Sequence, residues 1–229
     1  MITDYTPSYD DKQVNQSGRR KRLKTGRIQA RVTAVTAKIN DNGNMMLVET
    51  YAPVDDENNT ASPTGKHNLV LPFRTPPEAL KEAGLPPDAQ ESVPDTIGLM
   101  IQYLEATRPG LLPKNQSIKP FGRGKSKEWQ VVDAEGNPTG EALAPKETRD
   151  QINYERKKGA FDFFSKAWTD TESLKGDEFF ATVIHNTVKT KDGEATFVNL
   201  TKLSADQGTE PLNEPPYFDQ EEAVSNGAA

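Results

Sequence analysis

Residues 27–51, RIQARVTAVTAKINDNGNMMLVETY, carry the clearest structural pattern in the chain. In the first half of this stretch, apolar residues alternate with polar and basic ones, as in a half-buried β-strand. The inward set is Ile28, Ala30, Val32 and Ala34, and the outward set is Arg27, Gln29, Arg31 and Thr33. Asn42-Gly43 favours a type I′ turn, because both central residues of that turn need positive φ. The stretch is therefore predicted to be a β-hairpin, which needs further strands to be stable in water.

Further strands are predicted on either side of a helical block. Residues 67–73, HNLVLPF, form an apolar run that we interpret as a third strand. Residues 179–188 and 195–203 flank an Asp-Gly turn and predict a second hairpin of the same style. Between them, the patterns predict helices within 76–87, 94–110 and 146–168, and a small hairpin within the loop-like segment 110–145.

Three strands, a helical block and two strands are the element order of an OB-fold, a small five-stranded barrel. The predicted fold class is thus mainly β with a helical insertion (α+β), the helical block lying between strands 3 and 4. The predicted domains are a flexible basic arm at 1–25, an OB-fold domain at 26–205 with its insertion at about 76–175, and a disordered acidic tail at 206–229. Two independent domains dividing near Arg108 are the alternative.

Composition narrows the class of protein further. The 229 residues are 34% hydrophobic, with a mean hydropathy of -0.76, 17 prolines and 16 glycines, which predicts extensive loops and tails. The chain has no cysteine, so disulfides and thiolate chemistry are excluded. No apolar run approaches the roughly 20 residues of a membrane span, and the N-terminus lacks a signal-peptide pattern. We expect a cytoplasmic protein without membrane contact.

The net charge of -6 is distributed unevenly along the chain. Residues 19–31 contain seven Lys or Arg and no acid, and residues 108–127 contain six and again no acid. Residues 209–229 contain five acids and no base. The positive charge is concentrated in two segments, so these segments can attract an anionic polymer such as a nucleic acid although the net charge of the protein is negative.

Residues 26–51 (GRIQARVTAVTAKINDNGNMMLVETY), 174–187 (LKGDEFFATVIHNT) and 192–204 (DGEATFVNLTKLS) together resemble phage-encoded single-stranded DNA-binding proteins of the OB-fold kind. The resemblance covers about a third of the chain and lies in strand pattern and turns. It implies strand coating during phage DNA replication or recombination, in the host cell cytoplasm. It also implies an acidic C-terminal tail that contacts replication or recombination proteins, here Tyr217, Phe218, Asp219, Glu221 and Glu222. In this chain the aromatic pair of that tail is followed by eleven further residues.

Single-strand binding needs a positive groove for phosphates and aromatic faces for bases. On and beside the predicted strands, the candidate DNA-binding residues are Arg27, Arg31, Lys38, Tyr51, Phe73 and Arg74. In the segment 118–129, IKPFGRGKSKEW, aromatic residues alternate with basic residues. This segment adds the candidates Lys119, Phe121, Arg123, Lys125, Lys127 and Trp129. The alternative for this segment is a solvated loop with Trp129 anchored in the core.

The helix predicted at 146–168 offers a second cluster, with Tyr154, Lys157 and Lys158 as candidates. Its aromatic residues Tyr154, Phe161, Phe164 and Trp168 have a spacing that favours packing against the barrel over base stacking.

Catalysis is not predicted. The two histidines lie in separate predicted strands without metal-site spacing, and no Walker-type phosphate loop occurs, so no cofactor or metal is expected. The leading hypothesis is a sequence-nonspecific single-stranded DNA-binding protein. The alternatives are a protein-interaction module of phage origin built on an OB-like barrel, and an RNA- or duplex-binding protein.

Overall fold

The computed structural model describes residues 21–54, 65–122, 128–133, 136–190, 193–215 and 217–220. Within these residues the chain forms one five-stranded sheet, two small two-stranded sheets and three α-helices. The strands are β1 (Lys21–Leu23), β2 (Gly26–Ile39), β3 (Met45–Pro53), β4 (Gly65–Val70), β5 (Ile118–Phe121), β6 (Glu128–Val131), β7 (Glu178–Thr190), β8 (Gly193–Ser204) and β9 (Phe218–Gln220). The helices are α1 (Pro77–Glu82), α2 (Ile97–Thr107) and α3 (Lys146–Thr169), followed by a 3₁₀ turn at Thr171–Leu174.

The main sheet is antiparallel with the strand order β4-β3-β2-β7-β8. Strands β1 and β9 form one separate ribbon, and β5 and β6 form another. Within the described residues no ladder joins β4 to β8, so the sheet is open. The predicted class, mainly β with helices (α+β), is confirmed, whereas closure into a five-stranded barrel is not.

Strand β2 pairs with two different neighbours along its length. Residues 26–31 pair with β7, and residues 30–39 pair with β3. The register shifts between Val32 and Ala34, which leaves Thr33 as a bulge whose hydroxyl donates to the Thr50 carbonyl (3.1 Å). A bulge exchanges the two faces of a strand. The prediction that Ala34 is buried is therefore wrong, and Val35 packs against the core instead.

The turn of the first hairpin differs from the type I′ prediction. Residues 40–44 close it, with Asn40 N–H donating to the Asn44 carbonyl (3.0 Å) and Gly43 N–H donating to the Asn40 carbonyl (2.8 Å). Only Gly43 has positive φ there, at 72°. The backbone N–H groups of Asn42 and Asn44 both donate to the Asn40 Oδ1. These side-chain hydrogen bonds stabilise the turn without the second positive-φ residue that a type I′ turn requires.

Helices α2 and α3 cover one face of the sheet and share a hydrophobic core with it. Leu47 and Leu69 from the sheet pack with Met100 from α2 and Phe164 from α3. On α3 the buried residues recur every three or four positions, as in an amphipathic helix: Arg156, Ala160, Phe164 and Ala167. The predicted helix at 146–168 is confirmed, and the predicted third strand ends at Val70 instead of residue 73.

The C-terminal segment packs against the body of the protein. Tyr217 is buried in a second core cluster with Leu23, Tyr51 and Phe179, and its carbonyl accepts from the Lys24 amide (2.9 Å). Strand β9 pairs with β1, which belongs to the predicted flexible arm. The prediction of a disordered segment from residue 206 is therefore wrong for residues 206–215 and 217–220, while residues 221–229 and 1–20 lie outside the described residues.

Replacing Gly65 by alanine is expected to destabilise the fold. A Cβ at this position would lie 2.1 Å from the Tyr51 ring, and Tyr51 is fully buried, so the ring has to shift. Overpacking of this kind costs roughly 1–3 kcal/mol, measurable by urea denaturation. The control is Gly98→Ala on the exposed side of α2, where a Cβ meets nothing within 4 Å and alanine stabilises by up to about 1 kcal/mol. Equal stability of Gly65→Ala and the wild type would contradict the expectation.

Candidate nucleic-acid interface

The outer face of the β2–β3–β4 region, on the side away from α2 and α3, carries polar and basic side chains together with aliphatic ones, of which Met46 is buried. Lys38 pairs with Met46, and Thr50 pairs with Lys66, so the two exposed lysines share this face. The described residues of the face are Ala34, Thr36, Lys38, Met46, Val48, Thr50, Lys66, Asn68 and Val70. This face offers charge to a phosphate backbone but no aromatic surface for bases.

Arg27, predicted to point outward and to contact DNA, is buried beneath the C-terminal segment, with 6% of the residue exposed. Its guanidinium donates to the carbonyl oxygens of Lys202 (2.6 Å), Asp206 (3.2 Å) and Gln207 (3.2 Å). Burial lowers the Arg27 pKa, and the nearby Glu210 carboxylate acts in the opposite direction. The prediction of an exposed Arg27 is wrong, because this side chain fastens β2 to the loop after β8.

Arg31 stays half exposed but is paired with an acid. Its Nε and Nη2 lie 2.9 Å and 2.5 Å from Oε1 of Glu178 on the neighbouring strand β7. Gln29 donates to the other oxygen of the same carboxylate (3.2 Å). Of the two arginines predicted on the outward face of β2, Arg31 is thus neutralised by Glu178 and Arg27 is covered by the C-terminal segment.

Tyr51 and Phe73, predicted to stack on bases, belong to the core. Tyr51 lies edge-on against Phe179 with ring centroids 6.4 Å apart, and its burial raises its pKa well above the ordinary value. Phe73 packs edge-on against Phe161 at 4.7 Å. Neither ring is open to a base, so the predicted stacking role does not hold for them. The adjacent Arg74 is exposed and donates to the Gln90 carbonyl (2.8 Å).

The β5–β6 ribbon presents Trp129 to solvent, with 55% of the residue exposed. Trp129 pairs with Pro120 and Phe121 pairs with Glu128, so the two rings lie on opposite faces of the ribbon. Lys119 is exposed on the face of Phe121. The other basic residues predicted to contact DNA from this segment lie outside the described residues: Arg123, Lys125 and Lys127.

Helix α3 carries a stripe of exposed aromatic and basic side chains on its solvent side. Tyr154 is 62% exposed and Phe161 is 45% exposed, and residues seven apart lie on one face of a helix. Lys157 and Lys158 lie between them and are exposed. Lys158 pairs with Asp162 (3.0 Å), which raises the Lys158 pKa, whereas Lys157 forms no ion pair with a described residue. The expectation that Tyr154 packs in the core is wrong, although Phe164 and Trp168 do pack there.

The ribbon and the helix stripe are joined through the segment before β5. Asn115 donates to the Asn153 side-chain oxygen (3.0 Å), and Arg156 donates to the Pro113 carbonyl (2.7 Å). Arg156 also pairs with Glu105 (2.5 Å), which links α3 to α2. We call the exposed set Trp129, Tyr154, Lys157, Lys158 and Phe161 the ribbon–helix surface; Lys119 lies on the opposite face of the ribbon from Trp129. The ribbon–helix surface combines rings and positive charge, as single-strand binding requires.

The residues predicted to contact protein partners are partly integrated into the fold. Tyr217 is buried, and Phe218 and Asp219 lie in β9, where their backbones pair with Leu23 and Arg22. Glu221 and Glu222 lie outside the described residues.

A polar network is buried where β3, β4, α2 and the start of β7 meet. Glu49 is fully buried and its Oε2 lies 3.1 Å from His67 Nδ1, while its Oε1 has no hydrogen-bond partner. Tyr103 donates to Asp177 (3.4 Å), which is also bound by Arg108 (2.7 Å). Burial, with Glu49 and Asp177 nearby, raises the Tyr103 pKa, and burial raises the Asp177 pKa against the effect of Arg108.

Sequence reasoning missed Lys66 and Asn68 on the outer face and the exposure of Phe161. The alternation within 65–70 contained the signal for the first two, because Lys66 and Asn68 flank the inward His67 and Leu69. For Phe161 no signal was available, since its spacing from Phe164 fits the buried face of a helix equally well.

Comparison of the chain with models of protein families found no match, and neither did comparison with curated proteins. Within the described residues, no group of three or more acidic, histidine or cysteine side chains is arranged to hold a metal ion. Their helices include none that is long and apolar enough to cross a bilayer.

Arg27→Ala is expected to destabilise the protein by roughly 1–3 kcal/mol, because the partly buried carbonyl oxygens of Lys202, Asp206 and Gln207 lose their donor. Arg31→Ala removes a half-exposed ion pair and is expected to cost less than about 1 kcal/mol. Urea denaturation of both variants measures the difference. The opposite order of the two effects would show that Arg27 does not anchor the C-terminal segment.

Asp177→Asn is expected to change the pH dependence of stability. The folded-state pKa of Asp177 is raised, so its contribution to stability is complete below the unfolded value of about 4 and is lost as pH rises through the folded pKa. The free energy of unfolding of the wild type, relative to Asp177→Asn, should therefore fall as pH rises from about 4 toward neutrality. Denaturation series at several pH values test this, with Asp88→Asn at an exposed position as control. A difference that grows with pH would contradict it.

Proposed function

We propose that the protein binds single-stranded DNA without sequence preference and that the ribbon–helix surface is its main contact. The observation that carries this proposal is the exposure of Trp129 and Tyr154, with the exposed Lys157 and Lys158 one helical turn from Tyr154. Both rings leave more than half of their residue in water, although large aromatic side chains gain most from burial. Every base has a π-face, so rings held open in this way bind a strand whatever its sequence.

Positive charge near these rings supports the proposal. Lys157 and Lys158 are exposed on the ribbon–helix surface, and of the two only Lys158 has an ion-pair partner among the described residues. Phosphate neutralisation by lysine releases counterions and supplies the sequence-independent part of the affinity. The net charge of -6 does not oppose this, because the nearest charges decide the local potential at physiological salt.

The sheet supplies a secondary, purely electrostatic contact in this proposal. The order β4-β3-β2-β7-β8 is the order of an OB barrel opened between its third and fifth strands. OB folds bind oligonucleotides on the face of their second and third strands, which correspond here to β3 and β4. Lys38 and Lys66 lie at opposite edges of that region, on β2 and β4, and give a strand two phosphate contacts there.

The protein then acts stoichiometrically, coating strands exposed during DNA replication or recombination. In this proposal the acidic residues after β9, Glu221 and Glu222, contact proteins of the same process. RNA binding and a protein-interaction role are the two alternative functions that the experiments below distinguish from this proposal.

Fluorescence anisotropy of labelled oligo-dT at 50 and 200 mM salt tests the proposal, with micromolar or tighter binding at low salt that weakens as salt rises. Tyr154→Ala and Trp129→Ala should each weaken binding by roughly 1–3 kcal/mol, the range of one base–ring stack. Lys157→Ala should reduce the slope of log K against log salt by about 0.7, because one phosphate contact is lost.

The matched controls are Val93→Ala and Lys81→Ala, which change exposed residues outside the ribbon–helix surface and should bind like the wild type. Competition with RNA and duplex DNA of equal length identifies the preferred polymer. Absence of binding at low salt would overturn the proposed function, and binding that is indifferent to Tyr154 and Trp129 would overturn the assigned surface.

A further inference from the structure

A cleft of about 620 Å³ lies between the edge strands β4 and β8, with α2 as its third side. Its lining is mainly apolar and includes Leu69, Met100 and Leu203. Leu99 of α2 also lines the cleft and is 59% exposed. A cleft of this volume, apolar with a few polar groups, is typical of sites for small organic ligands.

His67 gives the cleft an oriented polar group. Its Nδ1 lies 3.1 Å from the carboxylate of Glu49, which is fully buried and sits on the neighbouring strand β3. The imidazole is stacked on Tyr103, with 6.2 Å between ring centroids and 14° between ring planes. Because Glu49 holds Nδ1, Nε2 is the nitrogen left to face a ligand, and it has no hydrogen-bond partner among the described residues.

Lys202 marks the opposite wall of the cleft. It has a φ of 49° and is the one non-glycine residue with positive φ in the described part of the chain. It lies in a β-bulge of β8, opposite Ala181, and its carbonyl accepts from the buried Arg27 (2.6 Å). Bulges re-aim side chains next to binding sites, and strained conformations persist where the surroundings hold them. The Lys202 ammonium group is exposed and pairs with Glu210 (2.6 Å).

We propose that this cleft binds one nucleobase of a nucleotide. The base lies between the Leu99 and Leu203 side chains and its polar edge meets His67 Nε2. Its phosphate approaches Lys202, where it competes with the Glu210 carboxylate for the ammonium group. A planar heteroaromatic ring with apolar faces and a polar edge matches a cleft with apolar walls and one fixed imidazole. The inference rests on the proposed function for the identity of the ligand, and it adds a site that holds a single unstacked base away from the ribbon–helix surface.

Titration of the full-length ¹⁵N-labelled protein with each of the four deoxynucleoside monophosphates, up to about 10 mM, tests the proposal by NMR. The expected result is saturable shifts at the amides of His67, Leu99 and Lys202. Leu99→Glu should weaken this binding by about tenfold or more, because it adds negative charge and removes an apolar wall. Val93→Glu, at another exposed apolar position, is the control and should bind like the wild type.

Two further measurements separate this site from the proposed function. Tyr154→Ala should leave mononucleotide binding unchanged while it weakens oligo-dT binding. If oligo-dT does not bind but the monophosphates shift the cleft residues, the proposed function fails and the nucleotide site stands. The absence of shifts at 10 mM, identical shifts with ribose 5-phosphate alone, or indifference to Leu99→Glu would overturn the site.

Discussion

The pairing of β2 with two neighbours is the constraint on which the rest of the structure depends. Its first residues lie beside β7 and its later residues beside β3, and the bulge at Thr33 allows one strand to serve both. The bulge also exchanges the faces of the strand, so that Val35 and Ala37 continue the inner face under the helices. Because the sheet is bent around β2, its edge strands β4 and β8 come to lie on either side of one cleft.

Charge is rearranged by this architecture more than the sequence suggests. The basic stretch at 19–31 ends in two arginines, and the fold gives each of them a partner: protein carbonyl groups for Arg27 and Glu178 for Arg31. The C-terminal segment brings Glu210 to the same region. The cations that stay exposed beside open aromatic rings, Lys157 and Lys158, lie on α3. For this reason the candidate interface is the ribbon–helix surface and not the outward face of β2.

The buried polar network is the least expected feature of the core. A fully buried carboxylate with one unpartnered oxygen costs stability, and an apolar side chain of the same size at position 49 would pack at lower cost. Natural proteins depart from such local rules mainly at functional or strained positions. The network adjoins the cleft through His67 and Tyr103, and the strained Lys202 lies on the opposite wall. Two departures from ordinary packing, the unpartnered carboxylate oxygen of Glu49 and the positive φ of Lys202, thus lie near one cleft.

The sequence by itself determined the elements and much of their order: the hairpin at 27–51, the helix at 146–168 and the second hairpin follow from periodicity and turn residues, which are local. It also predicted the outward lysines of α3. Only the tertiary structure decided the bulge at Thr33, the burial of Arg27, Tyr51 and Phe73, the exposure of Tyr154, and the docking of Tyr217. Alternation of apolar and polar residues predicts the two faces of a strand. It does not predict which segment packs on each face, because that segment lies far away in the chain. Arg27 and the residues at 202–207 are about 175 positions apart, and no local pattern records their contact.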